Sequence, residues 1–85
     1  MSENERRLAP TEVDEVQNET SGEEVYDIDL STGQLRVAES KSGLSRGKKF
    51  YPGDRAQVTV EAREGLYIRN ISDSTAVYEL KEVES

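Results

Sequence analysis

Eighty-five residues carrying 18 acids against 11 bases, with no histidine and no cysteine, describe one small and strongly acidic chain. A net charge of −7 disfavours general binding to nucleic acid or anionic membranes, since both repel it. The missing residue types remove disulfides, thiolate metal sites, the commonest general base and the commonest metal ligand. No apolar run approaches the roughly 20 residues of a membrane span, and the N-terminal residues contain no apolar signal-peptide core, so a soluble protein is expected.

The acidity is uneven. Residues 1–24 hold eight acids against Arg6 and Arg7, whereas the remaining residues are nearly balanced. The first stretch lacks a sustained apolar period and is expected to form a flexible or partner-ordered arm, separate from a β module over residues 25–85. Within the arm, Thr11–Gln17 could form a short capped helix, with Val13 and Val16 on one face. Leu8, Val13 and Val16 are its candidate anchors on a neighbour.

Val25–Leu30 alternates, with Tyr26, Ile28 and Leu30 on one face and Asp27 and Asp29 on the other. A turn at Ser31–Gln34 and a short strand at Leu35–Ala38 complete a plausible hairpin. Residues 39–47 read as a Ser/Gly-rich loop. Pro52-Gly53-Asp54 predicts a type II turn, with proline presetting φ and glycine accepting a positive φ. The cleanest half-buried strand follows, with Ala56, Val58, Val60 and Ala62 on one side. Turns at Arg63–Gly65 and Ser72–Ser74 then separate the strands Leu66–Ile71 and Thr75–Val83. Leu66 and Ile68 oppose Tyr67 and Ile71, while Ala76, Tyr78 and Leu80 oppose Val77. Apolar groups on both faces require either a two-sheet interior or a partner. No repeat with a period of 20–50 residues is evident.

These elements define an all-β fold, a small antiparallel β-sandwich or barrel of about six short strands, jelly-roll-like, with an extended acidic N-terminal arm. A domain near 60 residues buries only about 60% of its unfolded surface. Oligomerisation would supply the missing burial.

Asp27 and Asp29 are read as a solvated strand face, and no calcium-loop pattern accompanies them. Residues 36–55 contain six bases against Glu39 and Asp54. There Lys48 and Lys49 adjoin Phe50 and Tyr51, as charge and aromatics do in single-strand binders. Arg46, Lys48, Lys49, Phe50, Tyr51 and Arg55 are therefore candidate contacts for nucleic acid or for the acidic arm. Asn18-Glu19-Thr20 and Asn70-Ile71-Ser72 match the glycosylation sequon. Both are expected to be chance matches, and Asn70 to serve the strand-to-turn transition.

Two resemblances follow from these residues. The segment from Pro52-Gly53-Asp54 through Ile68-Arg69-Asn70 to Ala76–Leu80 resembles the second half of a cupin-type jelly roll. Tyr67, Ile68 and Arg69 stand where that family has its metal-binding histidine, so cupin catalysis does not carry over. The succession V-Y-D-I-D-L-S-T, G-D-R-A-Q-V-T-V and G-L-Y-I-R-N-I-S-D-S-T-A resembles small β-rich structural proteins of tailed viruses, which decorate capsids, close head–tail junctions or build tails. This resemblance implies a non-enzymatic virion protein without cofactors, forming homo-oligomers and contacting a larger capsid or tail protein. The acidic bias suits a halophilic host, such as an archaeon. Tyr67, Ile71 and Val77 join the arm residues as the expected partner interface. A nucleic-acid-binding barrel using residues 46–55 is the alternative.

Overall fold

A computed structural model describes residues 4–83. Eight strands divide between two four-stranded antiparallel sheets, consecutive strands changing sheet except at β4–β5, with one 3-10 turn at Ser42–Arg46. The strands are β1 (Glu5–Leu8), β2 (Val13–Gln17), β3 (Glu24–Thr32), β4 (Leu35–Ala38), β5 (Lys48–Phe50), β6 (Arg55–Val60), β7 (Gly65–Asn70) and β8 (Ala76–Val83). Sheet A has the order β1-β8-β3-β6 and sheet B the order β2-β7-β4-β5. These orders are those of an eight-stranded jelly roll.

The expected β-sandwich is therefore present, with eight strands rather than six. Residues 5–17 are not an arm. β1 pairs with β8 and β2 with β7, so this stretch supplies one edge of each sheet. Within the Thr11–Gln17 segment, Val13–Gln17 is strand rather than helix, and Thr11 and Glu12 form the corner before it. Its few apolar groups suffice because an edge strand packs on only one neighbour.

The expected hairpin and meander are also rearranged. β3 and β4 lie in different sheets, as do β6 and β7, and β7 and β8. Their short turns arch across the sandwich, so strands adjacent in sequence face one another instead of pairing. Alternation is preserved, because the inward row of each strand still meets the opposite sheet. Ile28, Leu30, Leu35, Phe50, Val60, Leu66, Ile68, Ala76 and Tyr78 are essentially inaccessible to solvent in this interior. The Tyr51–Asp54 turn forms as expected: the Asp54 amide donates to Tyr51 O at 2.9 Å, and Gly53 has φ +93°. Gly33, at φ +88°, shares that need and adds a second. A Cβ there would lie 2.8 Å from Ala76 Cα at the start of β8.

The strand pairings reveal a repeat that the sequence hides. Residues 5–30 and 57–82 are equivalent without gaps at an offset of 52. Glu5↔Glu79, Arg7↔Val77 and Leu8↔Ala76 on β1–β8 become Gln57↔Asp27, Thr59↔Val25 and Val60↔Glu24 on β6–β3. The pairs Ile28↔Leu80 and Glu15↔Tyr67 join equivalent residues, which places the pseudo-twofold axis between β3 and β8 and between β2 and β7. The corners match as well. Glu12 N donates to Ala9 O and Glu64 N to Glu61 O, both at 3.0 Å, with Thr11 at φ +68° and Arg63 at φ +67°. Identity survives only at Glu12/Glu64, Asn18/Asn70, Val25/Val77 and Tyr26/Tyr78.

Candidate interaction surfaces

Sheet B ends in asparagine at two equivalent places, following β2 and closing β7. Asn70 is fully buried. Its Nδ2 donates to Leu8 O at 2.9 Å and Ser74 O at 2.8 Å, and its Oδ1 accepts from Ser72 N and Oγ at 2.9 and 2.6 Å. Asn18 repeats the arrangement. Its Nδ2 donates to Gly22 O, Val60 O and Glu61 O, and its Oδ1 accepts from Thr20 N and Oγ1. Each clamp thus ties the end of a sheet B strand to an edge strand of sheet A. The sequon hydroxyls belong to these clamps, and the amide nitrogens that a glycan would need are buried and engaged. Asn70 does serve the strand-to-turn transition; the signal that reveals the clamp is N-x-[ST]-x-[GS] recurring 52 residues apart.

A second polar group closes the sandwich beside β1 and β2. The Tyr78 hydroxyl donates to Asp14 Oδ2 at 2.7 Å, and Arg6 Nη1 donates to the same oxygen at 2.8 Å. Burial, reinforced by the Asp14 carboxylate, pushes the Tyr78 phenol far above its ordinary value. The equivalent positions in the other half are Tyr26, Leu66 and Val58. A polar closure on one side thus replaces an apolar one on the other.

On the outer face of sheet A, Arg55 binds Asp27 through Nε and Nη2, the shortest contact being 2.6 Å. The guanidinium holds the Asp27 carboxyl below the usual carboxylate range. This pair lines a shallow open cleft of about 520 Å³ with Gln57, Lys81, Glu82 and Val83. Among the described residues, no group of three or more acids is close enough to hold a metal ion. Asp54 is placed in a turn, where its carboxylate accepts from Tyr51 N at 2.8 Å.

The basic-aromatic residues do not form one surface. Lys48 and Lys49 lie exposed on β5, with Arg46 and Tyr51 exposed on either side. Phe50 is only 1% exposed and belongs to the core, so it is unavailable for stacking. Lys48 Nζ sits 5.5 Å from its ring centroid. Arg55 points from the other sheet and is committed to Asp27. Residues 5–8 and 13–17 are sheet strands, so the acids of this stretch are presented from strands rather than from a free arm.

The expected partner residues separate similarly. Leu8 is buried in the chain's own core and Val16 packs against it. Val13, Tyr67, Ile71 and Val77 are half-buried. Tyr67 alternates with inward Leu66 and Ile68 and so lies on the outer face of sheet B, where its hydroxyl donates to Glu15 Oε1 at 3.3 Å. Val77 alternates with Ala76 and Tyr78 and lies on the outer face of sheet A. They cannot share one partner surface.

What sequence reasoning missed are the two edges of sheet B. β2 and its flanks, residues 12–19, contain Glu12, Asp14, Glu15 and Glu19 and no base. β5 and the turn before it, residues 40–50, contain Lys41, Arg46, Lys48 and Lys49 and no acid. None of these four cations is in an ion pair among the described residues. Opposite charge at opposite edges became visible only once strand order was known.

No protein-family model, curated protein or solved structure matches this chain. No helix among the described residues is long and apolar enough to cross a membrane.

Proposed function

We propose that the chain is a non-enzymatic structural module of a virus particle, a small sandwich repeated in a symmetric array as a capsid-decoration, minor capsid or head–tail component. The observation that carries this reading is the pair of oppositely charged edges of sheet B, neither of which has a strand partner among the described residues. Such edges are ordinarily sites of strand addition. The side-chain chemistry supports it too: Asn18, Asn70, Asp14 and Tyr78 are occupied in joining the two sheets. The jelly-roll order is shared with viral capsid domains, an analogy at the level of fold alone. An acidic surface suits a high-salt host. Sedimentation velocity of the full chain over a hundredfold range of concentration tests the reading. It predicts species larger than the 9.5 kDa monomer; a monomer throughout that joins no larger particle refutes it.

A second reading uses the exposed Arg46, Lys48, Lys49 and Tyr51 to bind single-stranded nucleic acid. It predicts salt-sensitive binding of a fluorescent oligothymidylate. With Phe50 buried, Tyr51 is the stacking platform left in that patch, and no binding at low salt removes this reading.

A further inference from the structure

We infer that sheet B continues from one copy of this chain to the next, the β5 edge of one molecule pairing antiparallel with the β2 edge of its neighbour. The inference rests on the assembly reading above and names the contact that builds the array. Strand direction permits it. β2, β7, β4 and β5 alternate in direction, so a second four-stranded sheet added in the same sense places β5 antiparallel to the next β2.

The internal repeat shows that the β2 edge has a strand-accepting form. β2 is the counterpart of β7, and the outer edge of β7 is occupied by β4 through Leu35↔Asn70, Val37↔Ile68 and Ala38↔Tyr67. No counterpart of β4 lies beside β2 among the described residues. The consequence appears in burial: Ile68 is inaccessible, whereas the equivalent Val16 is only partly buried.

Charge selects the occupant. Lysine on an edge strand ordinarily deters pairing. Here it opposes β5 meeting β5, and the acids oppose β2 meeting β2, while both favour β5 meeting β2. The rows correspond as well. Lys49 is opposite Arg36 on the outer row of β5, the row that Glu15 occupies on β2. Lys48 is opposite buried Val37 on the inner row, the row of Asp14 and Val16. A contact between two different edges is heterologous. Sheet twist rotates each copy relative to the last, so the product is a closed ring or a helical filament.

Charge exchange tests the inference. Glu15→Lys and Lys49→Glu each place like charges across the junction and are expected to raise the concentration for half-assembly about tenfold in sedimentation velocity at low salt. Combining both substitutions in one chain restores assembly, as does mixing the two single variants. Arg7→Glu, on the sheet A edge, leaves assembly unchanged. Circular dichroism verifies that each variant is folded. Single variants that assemble as the parent does overturn the edge contact while leaving the assembly reading intact, as does a folded double variant that fails to recover. A parent chain that stays monomeric and captures a basic partner strand through β2 overturns the choice of a second copy. A parent that is monomeric with no partner removes the underlying reading.

Discussion

Replacing Asn70 by alanine should cost about 2–4 kcal/mol of folding stability. The side chain is fully buried, with two donated and two accepted hydrogen bonds. Ser72 Oγ also lies 2.9 Å from Ser74 O, so that carbonyl keeps a partner after truncation. Leu8 O and Ser72 N lose their bonds to the amide. A hydrogen bond contributes about 0.5–1.5 kcal/mol net, and a buried group left without a partner costs about 1–3 kcal/mol, with the lower end applying to Ser72 N near the rim. Stability on the order of 0.05–0.15 kcal/mol per residue gives this domain only about 4–12 kcal/mol in all. The melting temperature should therefore fall by about 8–32 °C, at roughly 4–8 °C per kcal/mol. Urea titration followed by circular dichroism measures the change, and an unchanged m-value confirms that it lies in the folded state. The repeat makes the claim stricter. Asn18→Ala leaves Thr20 Oγ1 on Gly22 O at 2.8 Å and Glu64 N on Glu61 O at 3.0 Å, and takes the amide from Val60 O and Thr20 N, the counterparts of Leu8 O and Ser72 N, so its cost should match to within about 1 kcal/mol. The two clamps lie at opposite ends of the β2–β7 ladder, and their costs should add. A cost below about 1 kcal/mol for Asn70→Ala, or a neutral Asn18→Ala beside a costly Asn70→Ala, would refute the clamp account.

Three further outcomes follow from the same geometry. Asp27 has a folded-state pKa below its unfolded value, so its contribution is present above about pH 4 and is lost as pH falls through the folded value. Asp27→Asn should thus be less stable than the parent at pH 7, with the gap closing on acidification; a gap independent of pH contradicts this. Tyr78 has the opposite sign. Its raised pKa makes its contribution complete below about pH 10 and progressively lost above it. Tyr78→Phe should flatten the alkaline limb of stability, leaving the smaller part due to Tyr26, whose pKa burial and Glu24 also raise. Phe50→Ala should cost about 3–5 kcal/mol in urea titration, as a core truncation does, and a cost near zero would return Phe50 to the surface.

The all-β sandwich was legible because alternation survives any choice of strand partner. Tyr26, Ile28 and Leu30 had to share a face, and Pro52-Gly53 had to turn. What alternation does not encode is which sheet receives each strand, so arches looked like hairpins. β1 and β2 escaped notice because E-R-R-L and V-D-E-V-Q resemble a solvated tail. Asp14 occupies an inward position, and only Tyr78 and Arg6, distant in sequence or in another sheet, make that tolerable. The repeat was hidden for a related reason. Its halves conserve register, corner geometry and two clamps, while an inward row accepts Leu8 or Val60, Val16 or Ile68, and Ile28 or Leu80 equally well. At Phe50 the charged neighbours suggested a stacking surface, yet alternation from Lys49 to Tyr51 already placed its ring inward. The sheet B edges carried their charges openly in the sequence; what was missing was that β2 and β5 end the same sheet.

Backbone hydrogen exchange, read segment by segment below and above the concentration at which the chain assembles, tests the central claim most directly. Joining β5 to β2 across copies should raise protection in Val13–Gln17 and Lys48–Phe50 and leave the sheet A edges Glu5–Leu8 and Arg55–Val60 unchanged. Protection that rises at the sheet A edges instead, or assembly with no change in β2 and β5, would contradict it.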